Sequence, residues 1–291
     1  MSRPLHIVDV FAEKPYAGNP LAVVLAADGL TDEAMQLIAA ETNFSETTFV
    51  SSRPRPEGGI GVRIFTPARE LAFAGHPILG TGWVVRHHLG ASDPVRLDIP
   101  AGQIPVSFED TAEGEVVWFT APPVTFGPSC APAAMAAALG ISAEDIETRT
   151  PIQMLSSGTS AVIVPLRSLD ALRRSRLDLA AYRPLTVEGF PALVYLYCRE
   201  THHSRNDLCV RFFFEAHGVR EDPATGNGAA FLGAYLAKHR VYAKPDLLLR
   251  IEQGYEMQRP SLVLLRVRTS GAATEVSVGG HVVPIVRGEL L

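Results

Sequence analysis

Arg63-Ile64-Phe65-Thr66-Pro67, then Glu70, then Ala74-Gly75-His76 lead into an apolar run from Pro77 to His88. Half a chain later, Arg211-Phe212-Phe213, Glu221-Asp222-Pro223 and Ala224-Thr225-Gly226-Asn227-Gly228 lead into a second run, Ala229 to Arg240. Each unit reads as a strand, a polar turn, a loop of small residues and an apolar helix. The internal spacings differ by about three residues, so this is no strict repeat, but two such units half a chain apart suggest a duplicated fold. The two helix patterns carry Ile78, Leu79, Trp83, Val84, Val85 and Leu89 in one and Phe231, Leu232, Tyr235 and Leu236 in the other. Helices apolar over most of their circumference are buried, so each is expected at the centre of a domain, wrapped by sheet.

Around this pair the chain alternates between strand-like and helix-like runs. Leu5 to Phe11, Pro20 to Leu25, Phe44 to Val50 and Ile60 to Phe65 read as strands, with a helix from Thr31 to Glu41 capped by Thr31 or Asp32. Arg53 to Gly59 reads as an exposed turn, and Val95 to Phe119 as two or three strands broken near Gly102 and Gly114. Ala121-Pro122-Pro123, Pro128 and Pro132 disfavour both helix and central strand and mark the expected domain boundary. This gives a first domain over 1–122 and a second over 123–279, with a strand near 280–291 returning to the first. In the second domain helices are expected over Ala131–Gly140 and Leu169–Leu179. Strands are expected over Ser160–Pro165, Ala192–Cys198, Val210–Phe214, Leu247–Gln253, Ser261–Val267 and Thr274–Val278, and Ser156 to Ser160 reads as a loop.

Composition narrows the function. The chain has 291 residues, room for about two domains, and 47% hydrophobic residues. A net charge of −5 leaves no electrostatic footprint for nucleic acid. No apolar stretch near the start is long enough to span a bilayer, and Asp9, Glu13 and Asp28 interrupt any leader-like segment, so neither membrane nor secretion is expected. The odd set Cys130, Cys198 and Cys209, with no C-x-x-C pair, argues against disulfides and thiolate zinc and fits a cytoplasmic protein. No metal is expected. His87-His88 and His202-His203 are adjacent pairs that point apart, and there is no H-E-x-x-H. The glycine loop at 226–228 fails the dinucleotide pattern at its last glycine, and no P-loop occurs.

The chemistry is expected at the two helix starts. Glycines there let a ligand approach the backbone, and the exposed N–H groups and partial positive charge suit an anion. Gly75, Gly226, Asn227 and Gly228 are the candidate substrate-binding positions, and a carboxylate held from both sides is the expected ligand. Either loop alone also reads as an ordinary helix entry. Glu46, between a helix and a strand and beside Phe44 and Phe49, is the candidate acid/base, because desolvation there would raise its pKa; the other reading makes it a solvated Glu at a strand start. His76 is placed to bind a carboxylate or relay a proton; the other reading makes it a helix-start residue bonding nearby backbone.

Together these blocks resemble a known family. Asp9-Val10-Phe11, Gly18-Asn19-Pro20, Asn43-Phe44-Ser45-Glu46-Thr47, the 63–77 and 221–226 segments, Gln253-Gly254 and Arg259-Pro260-Ser261 occur in its order over nearly the whole chain. The resemblance is to the PhzF family of phenazine-biosynthesis-like isomerases. It implies an α+β, diaminopimelate epimerase-like fold: two similar domains, each a sheet curled around a central helix, with the active site in the cleft between them. It also implies a cofactor-independent isomerase of a small carboxylate, a homodimer, Glu46 as proton carrier, and His76 and Asp222 as polar catalytic partners. Racemases of the wider superfamily use two thiols; the corresponding positions here are Ala74 and Ala224. The family often has Ser after Thr-Gly where this chain has Asn227, which cannot copy a hydroxyl's proton transfer. A racemase or epimerase of an amino or hydroxy acid, and a non-catalytic binding protein that kept the site, are the alternative readings.

Overall fold

The computed structural model describes residues 2–54, 58–215, 220–271 and 273–291. Arg55, Pro56 and Glu57 of the expected exposed turn lie outside the described residues. The chain divides into two compact units: Met1–Thr120 with Val278–Leu291, and Ala121–Ser277.

The first unit comprises β1 (Arg3–Val10), β2 (Asn19–Val24), α1 (Asp32–Thr42), β3 (Glu46–Pro54), β4 (Ile60–Phe65), β5 (Glu70–Leu71), α2 (Gly75–Leu89), β6 (Val95–Ile99), β7 (Gly102–Thr111) and β8 (Gly114–Thr120). The second comprises β9 (Thr125–Cys130), α3 (Pro132–Leu139), β10 (Ile152–Ser157), β11 (Thr159–Pro165), α4 (Leu169–Arg174), α5 (Leu179–Val187), β12 (Val194–Cys198), β13 (Leu208–Phe213), β14 (Glu221–Asp222), α6 (Gly226–Lys238), β15 (Leu247–Gln253) and β16 (Ser261–Ser270). β17 (Ala273–Gly280) and β18 (Val282–Leu290) end the chain, and β18 pairs antiparallel with β1.

The echo seen in the sequence is a repeat of topology. In the first unit β1 is antiparallel to β2, β2 parallel to β3, β3 antiparallel to β4, β4 antiparallel to β5 and parallel to β6, and β6 antiparallel to β7. β10, β11, β12, β13, β14, β15 and β16 repeat that sequence of pairings in the second. The polar turn repeats down to its side chains. Arg63 grips Glu70 through two N–H groups at 2.7 Å each, and Arg211 grips Glu221 at 2.9 and 2.8 Å. Each guanidinium also lies over the ring two residues on, Phe65 at 5.0 Å and Phe213 at 4.8 Å.

The central helices are buried because glycine lets the sheet reach their backbones. α2 packs against β1, β2, β3, β6, β7, β8 and β18. A Cβ on Gly80 would stand 2.6 Å from Leu21, and one on Gly82 would stand 2.7 Å from Val106. α6 packs against β11 and β16, and a Cβ on Gly233 would stand 2.8 Å from Val276. A second helical layer covers the opposite face of each sheet. Met35 and Ala39 of α1 meet Phe49 and Phe65, and α3, α4 and α5 bury Met135, Leu172 and Tyr182 against Val194, Leu196 and Phe213. β12 is buried along its whole length, the signature of a strand covered on both faces.

Three local expectations are corrected. The helix expected over Leu169–Leu179 is two helices. Between them Ser175 is fully buried and its carbonyl accepts from Arg211 at 2.8 Å, while Asp178 caps the second helix by accepting from Ala180 and Ala181. Ser156–Ser160 is the tip of the β10–β11 hairpin, turning at Gly158 with φ +74°. The Pro-rich stretch contains a strand, β9, whose pairing with β10 shifts register opposite Met154 and so accommodates Pro128.

Candidate active site

In the first unit, Glu46 opens β3 and His76 is the second residue of α2. Side chains alternate along a strand, so Glu46 and Thr48 share the face toward α2, while Thr47 and Phe49 share the face toward α1. Thr48 Oγ1 meets Thr81 Oγ1 of α2 at 2.8 Å, and Thr47 Oγ1 meets Thr42 Oγ1 of α1 at 2.7 Å. These contacts fix the strand that carries the carboxyl group. Glu46 and His76 are 6% and 4% exposed, with Glu46 Oε2 and His76 Nε2 3.4 Å apart.

His76 is not a cation here. Burial pushes its imidazole down to about 3, so the ring is neutral at neutral pH. Its tautomer follows from Asn19, whose amide nitrogen lies 3.3 Å from Nδ1. An amide nitrogen only donates, so Nδ1 accepts and the ring proton sits on Nε2, the nitrogen 3.4 Å from Glu46 Oε2. The pair is therefore a carboxyl group beside a neutral N–H donor. Asn19 itself is fully buried at the start of β2, after Gly18 at φ +67°. The sequence quoted it only as part of a block; the signal was a polar residue wedged between a glycine and an apolar strand.

In the second unit, β14 carries the corresponding polar turn. Glu221 lies opposite Phe213 and Asp222 opposite Phe212, so the two carboxylates fall on opposite faces. Glu221 takes Arg211, whose NH1 also donates to the carbonyls of Leu172 and Ser175 at 3.0 and 2.8 Å. Asp222 turns toward α6 and is 6% exposed; Thr225 Oγ1 donates to its Oδ2. Fully buried Gln253 ties the turn together. Its Oε1 accepts from Thr225 N at 3.2 Å, and its Nε2 donates to Asp222 O at 2.9 Å and Thr225 Oγ1 at 3.1 Å. Ser261 Oγ donates to Pro223 O at 3.1 Å, and Gly254 at φ +79° lets the chain pass beside that same carbonyl. Gln253, Gly254 and Ser261 thus brace the Asp222–Gly226 turn, a role that sequence reasoning left unassigned.

Both central helices begin without a side-chain cap: Ala74 precedes α2, and the Thr225 hydroxyl is turned to Asp222. Gly75-His76 and Gly226-Asn227 therefore occupy equivalent first and second helical positions, where backbone N–H groups lack intrahelical partners. Asn227 is partly exposed, while Gly75, Gly226 and Gly228 are buried. Gly228 has a packing role as well, since a methyl group there would overlap the Tyr195 ring. Burial, then the nearby Asp222, pushes the Tyr195 phenol well above its ordinary range.

The cysteines lie elsewhere. Cys130, Cys198 and Cys209 sit on β9, β12 and β13 as free thiols, and burial pushes Cys130 up to about 11 and Cys198 up to about 12. Among the described residues, His202, Cys209 and Glu252 bring potential metal-ligand atoms within 4.8 Å of one another. Glu252, however, accepts from His202 N at 2.6 Å, His203 N at 2.8 Å and Asn206 Nδ2 at 2.7 Å, which makes it the anchor of that turn. No helix among the described residues is long and apolar enough to cross a membrane.

A duplicated sheet-and-helix unit with polar turns at two uncapped helix starts defines the epimerase-like class of isomerase folds. The fold of a hydroxyproline epimerase from Agrobacterium vitis agrees, with a TM-score of 0.62 at 14% identity over 99% of this chain and 91% of that one. The pattern described as "Phenazine biosynthesis-like protein" matches residues 8–288, and the chain belongs to that PhzF family. A PhzF-family structure from Bacillus anthracis superposes with a TM-score of 0.91 at 28% identity, covering 100% of this chain and 99% of that one. The trans-2,3-dihydro-3-hydroxyanthranilate isomerase of Pseudomonas aeruginosa is 38% identical, over 94% of this chain and 95% of its own. The protein is an isomerase.

Proposed function

We propose that this isomerase works without a cofactor on a small carboxylate, and that Glu46 carries the migrating proton. One observation carries the reading: the buried Glu46 carboxyl stands 3.4 Å from Nε2 of a neutral His76 whose Nδ1 is held by Asn19. As carboxylate, Glu46 takes a proton from one carbon; as acid, it returns a proton to another atom of the same molecule, so the formula is unchanged. His76 Nε2–H steadies the charged form of the carboxylate in each half of that cycle. In the first unit the helix-start amides of Gly75 and His76 suit a substrate's polar groups; in the second, Asp222 with Thr225 and the amides of Gly226 and Asn227 do. The relative from Pseudomonas aeruginosa makes trans-2,3-dihydro-3-hydroxyanthranilate the first substrate to try. Asn227 is the residue expected to set a different preference. The reading includes a cytoplasmic setting, which the three free thiols support, and a homodimer, which rests on the family resemblance alone.

The experiment is incubation of this compound, then a panel of small carboxylates, with the protein in D₂O, followed by proton NMR. The reading expects turnover of one of them with deuterium entering the product at the position that receives the proton. Turnover that requires an added metal or organic cofactor would contradict it.

A further inference from the structure

Within the second unit, at the end of α6 opposite the Gly226 turn, lies a cavity of about 340 Å³. Its wall comes from four segments: Glu147 to Thr150, the end of β11 at Pro165 to Arg167, the end of β12 at Tyr197 and Arg199, and His239 to Val241 after α6. Four of these residues are arginines, Arg149, Arg167, Arg199 and Arg240, and the one acid is Glu147. The lining is thus strongly cationic in a chain whose net charge is −5.

Three of the arginines are held without being used up. Arg149 donates Nε and NH2 to Glu147 at 3.0 and 2.8 Å. Arg167 donates Nε to the carbonyl of Glu144 at 2.8 Å. Arg199 donates NH2 to the carbonyl of Val241 at 2.6 Å and lies over the Tyr242 ring at 4.9 Å. In each case one edge of the guanidinium is fixed and further N–H groups remain; five such donors are available per arginine. Arg199 also offsets the negative end of α6, which would otherwise disfavour an anion there.

The fold does not require this lining. In the first unit, β2 and β3 are the parallel pair equivalent to β11 and β12, and their ends are tied in the same way: Ala27 N to Val50 O at 2.9 Å, against Leu166 N to Tyr197 O at 2.8 Å. There Asp28 accepts from Ser51 and Ser52 at 2.8 and 2.6 Å, and Arg3 donates to the Asp28 carbonyl at 3.1 Å. Among the described residues, the equivalent place in the first unit thus carries a different set of charges.

We propose that this cavity is a second ligand site, which binds a small phosphorylated molecule. Arginines supplied by four separate segments of one wall suit a tetrahedral anion with lone pairs on several oxygens, whereas one guanidinium fork satisfies a planar carboxylate. The volume lies at the lower end of small-ligand pockets, room for a phosphate with a modest organic portion. Its place at the far end of α6, 13 residues from first to last, puts it about 20 Å from the Gly226 turn. It is therefore separate from the residues assigned to isomerisation.

The test uses the full chain, with pyrophosphate, AMP and citrate as probes and NMR chemical shifts as readout, backed by calorimetry. Pyrophosphate or AMP is expected to bind saturably and to shift amides of 147–150, 165–167, 199 and 239–241 while leaving those of 225–228 in place. The exposed pair Arg199→Ala/Arg240→Ala is expected to weaken binding at least about tenfold, the loss of a single charge-assisted hydrogen bond. A thermal melt of the double variant matching wild type shows that the fold is intact, and Arg199→Lys/Arg240→Lys serves as the substitute if it does not match. No saturable binding of either phosphate up to about 10 mM, unchanged affinity in the variant, or citrate binding as tightly as pyrophosphate would each overturn the proposal.

Discussion

Acidification should expose the neutrality of His76. Its folded-state value is about 3 and the ordinary histidine value is 6.5, so the native state resists a proton that the unfolded chain accepts. The sign follows: the contribution to stability is complete above 6.5, declines as pH falls below that value, and is fully lost below about 3. Linkage puts the loss at about 2 kcal/mol by about pH 5 and about 3 kcal/mol by about pH 4. The assay is urea unfolding of wild type and His76→Asn at neutral pH and at about pH 5. Asn cannot take the proton, so the difference between the two proteins should move by about 2 kcal/mol in favour of Asn. The other histidines pushed down by burial, including His6 at about 4, are common to both proteins and cancel in the difference. Equal acid losses in the two proteins would refute the reasoning. So would an NMR titration in which His76 gains its second proton near the ordinary value.

Other outcomes follow from the same geometry. Gly228→Ala gains helix propensity of about 1 kcal/mol, but the methyl overlaps the Tyr195 ring, and overpacking of about 1–3 kcal/mol should win; denaturant midpoints decide the sign. The two Arg–Glu forks share a geometry and differ in burial. Glu221→Gln, which strands an Arg211 that is 3% exposed, should cost about 3–5 kcal/mol, and Glu70→Gln, beside an Arg63 that is 31% exposed, at most about 1 kcal/mol. Similar costs in the two would contradict the ranking by burial. Asn19→Ala should lower kcat with little change in KM, because it frees the His76 tautomer while leaving the helix-start amides in place; a pure KM effect would assign Asn19 to binding instead.

Much of this was legible in the sequence because the informative residues are local. The small-residue loops at 74–76 and 224–228 and the apolar runs after them marked both central helices. Glu46 stood out as a carboxyl group beside the apolar Phe44 and Phe49, whereas Asp222 was assigned a role only through the family resemblance. What escaped depends on partners far along the chain. Arg211 reaches back to Leu172 and Ser175, and that demand splits a helix that looks continuous from Leu169 to Leu179. Pro128 reads as a breaker, yet β9 keeps it where the pairing register shifts. Gln253 lies 28 residues from the Thr225 that it braces, and Asn19 lies 57 from the His76 that it orients. No periodicity announces either contact.

The two units also show what the duplication conserves and what it frees. Strand order, the Arg–Glu fork and the uncapped helix start recur in both. The second helical position does not: it is His76 in one unit and Asn227 in the other. The carboxyl proposed as acid/base, Glu46, belongs to β3, and the buried Asp222 of the second unit to a different strand, β14. A symmetric scaffold thus carries an asymmetric set of polar groups.

The central claim is that Glu46 moves the proton. Its most direct measurement compares wild type with Glu46→Gln, following turnover and deuterium incorporation together in D₂O on whichever carboxylate the wild type converts. The amide keeps the shape of the side chain and cannot exchange a proton in the same way. Turnover and incorporation should fall together by about 10²–10⁴-fold, the usual contribution of general acid/base catalysis, with the unfolding midpoint unchanged. Wild-type turnover by the folded Gln variant would contradict the account.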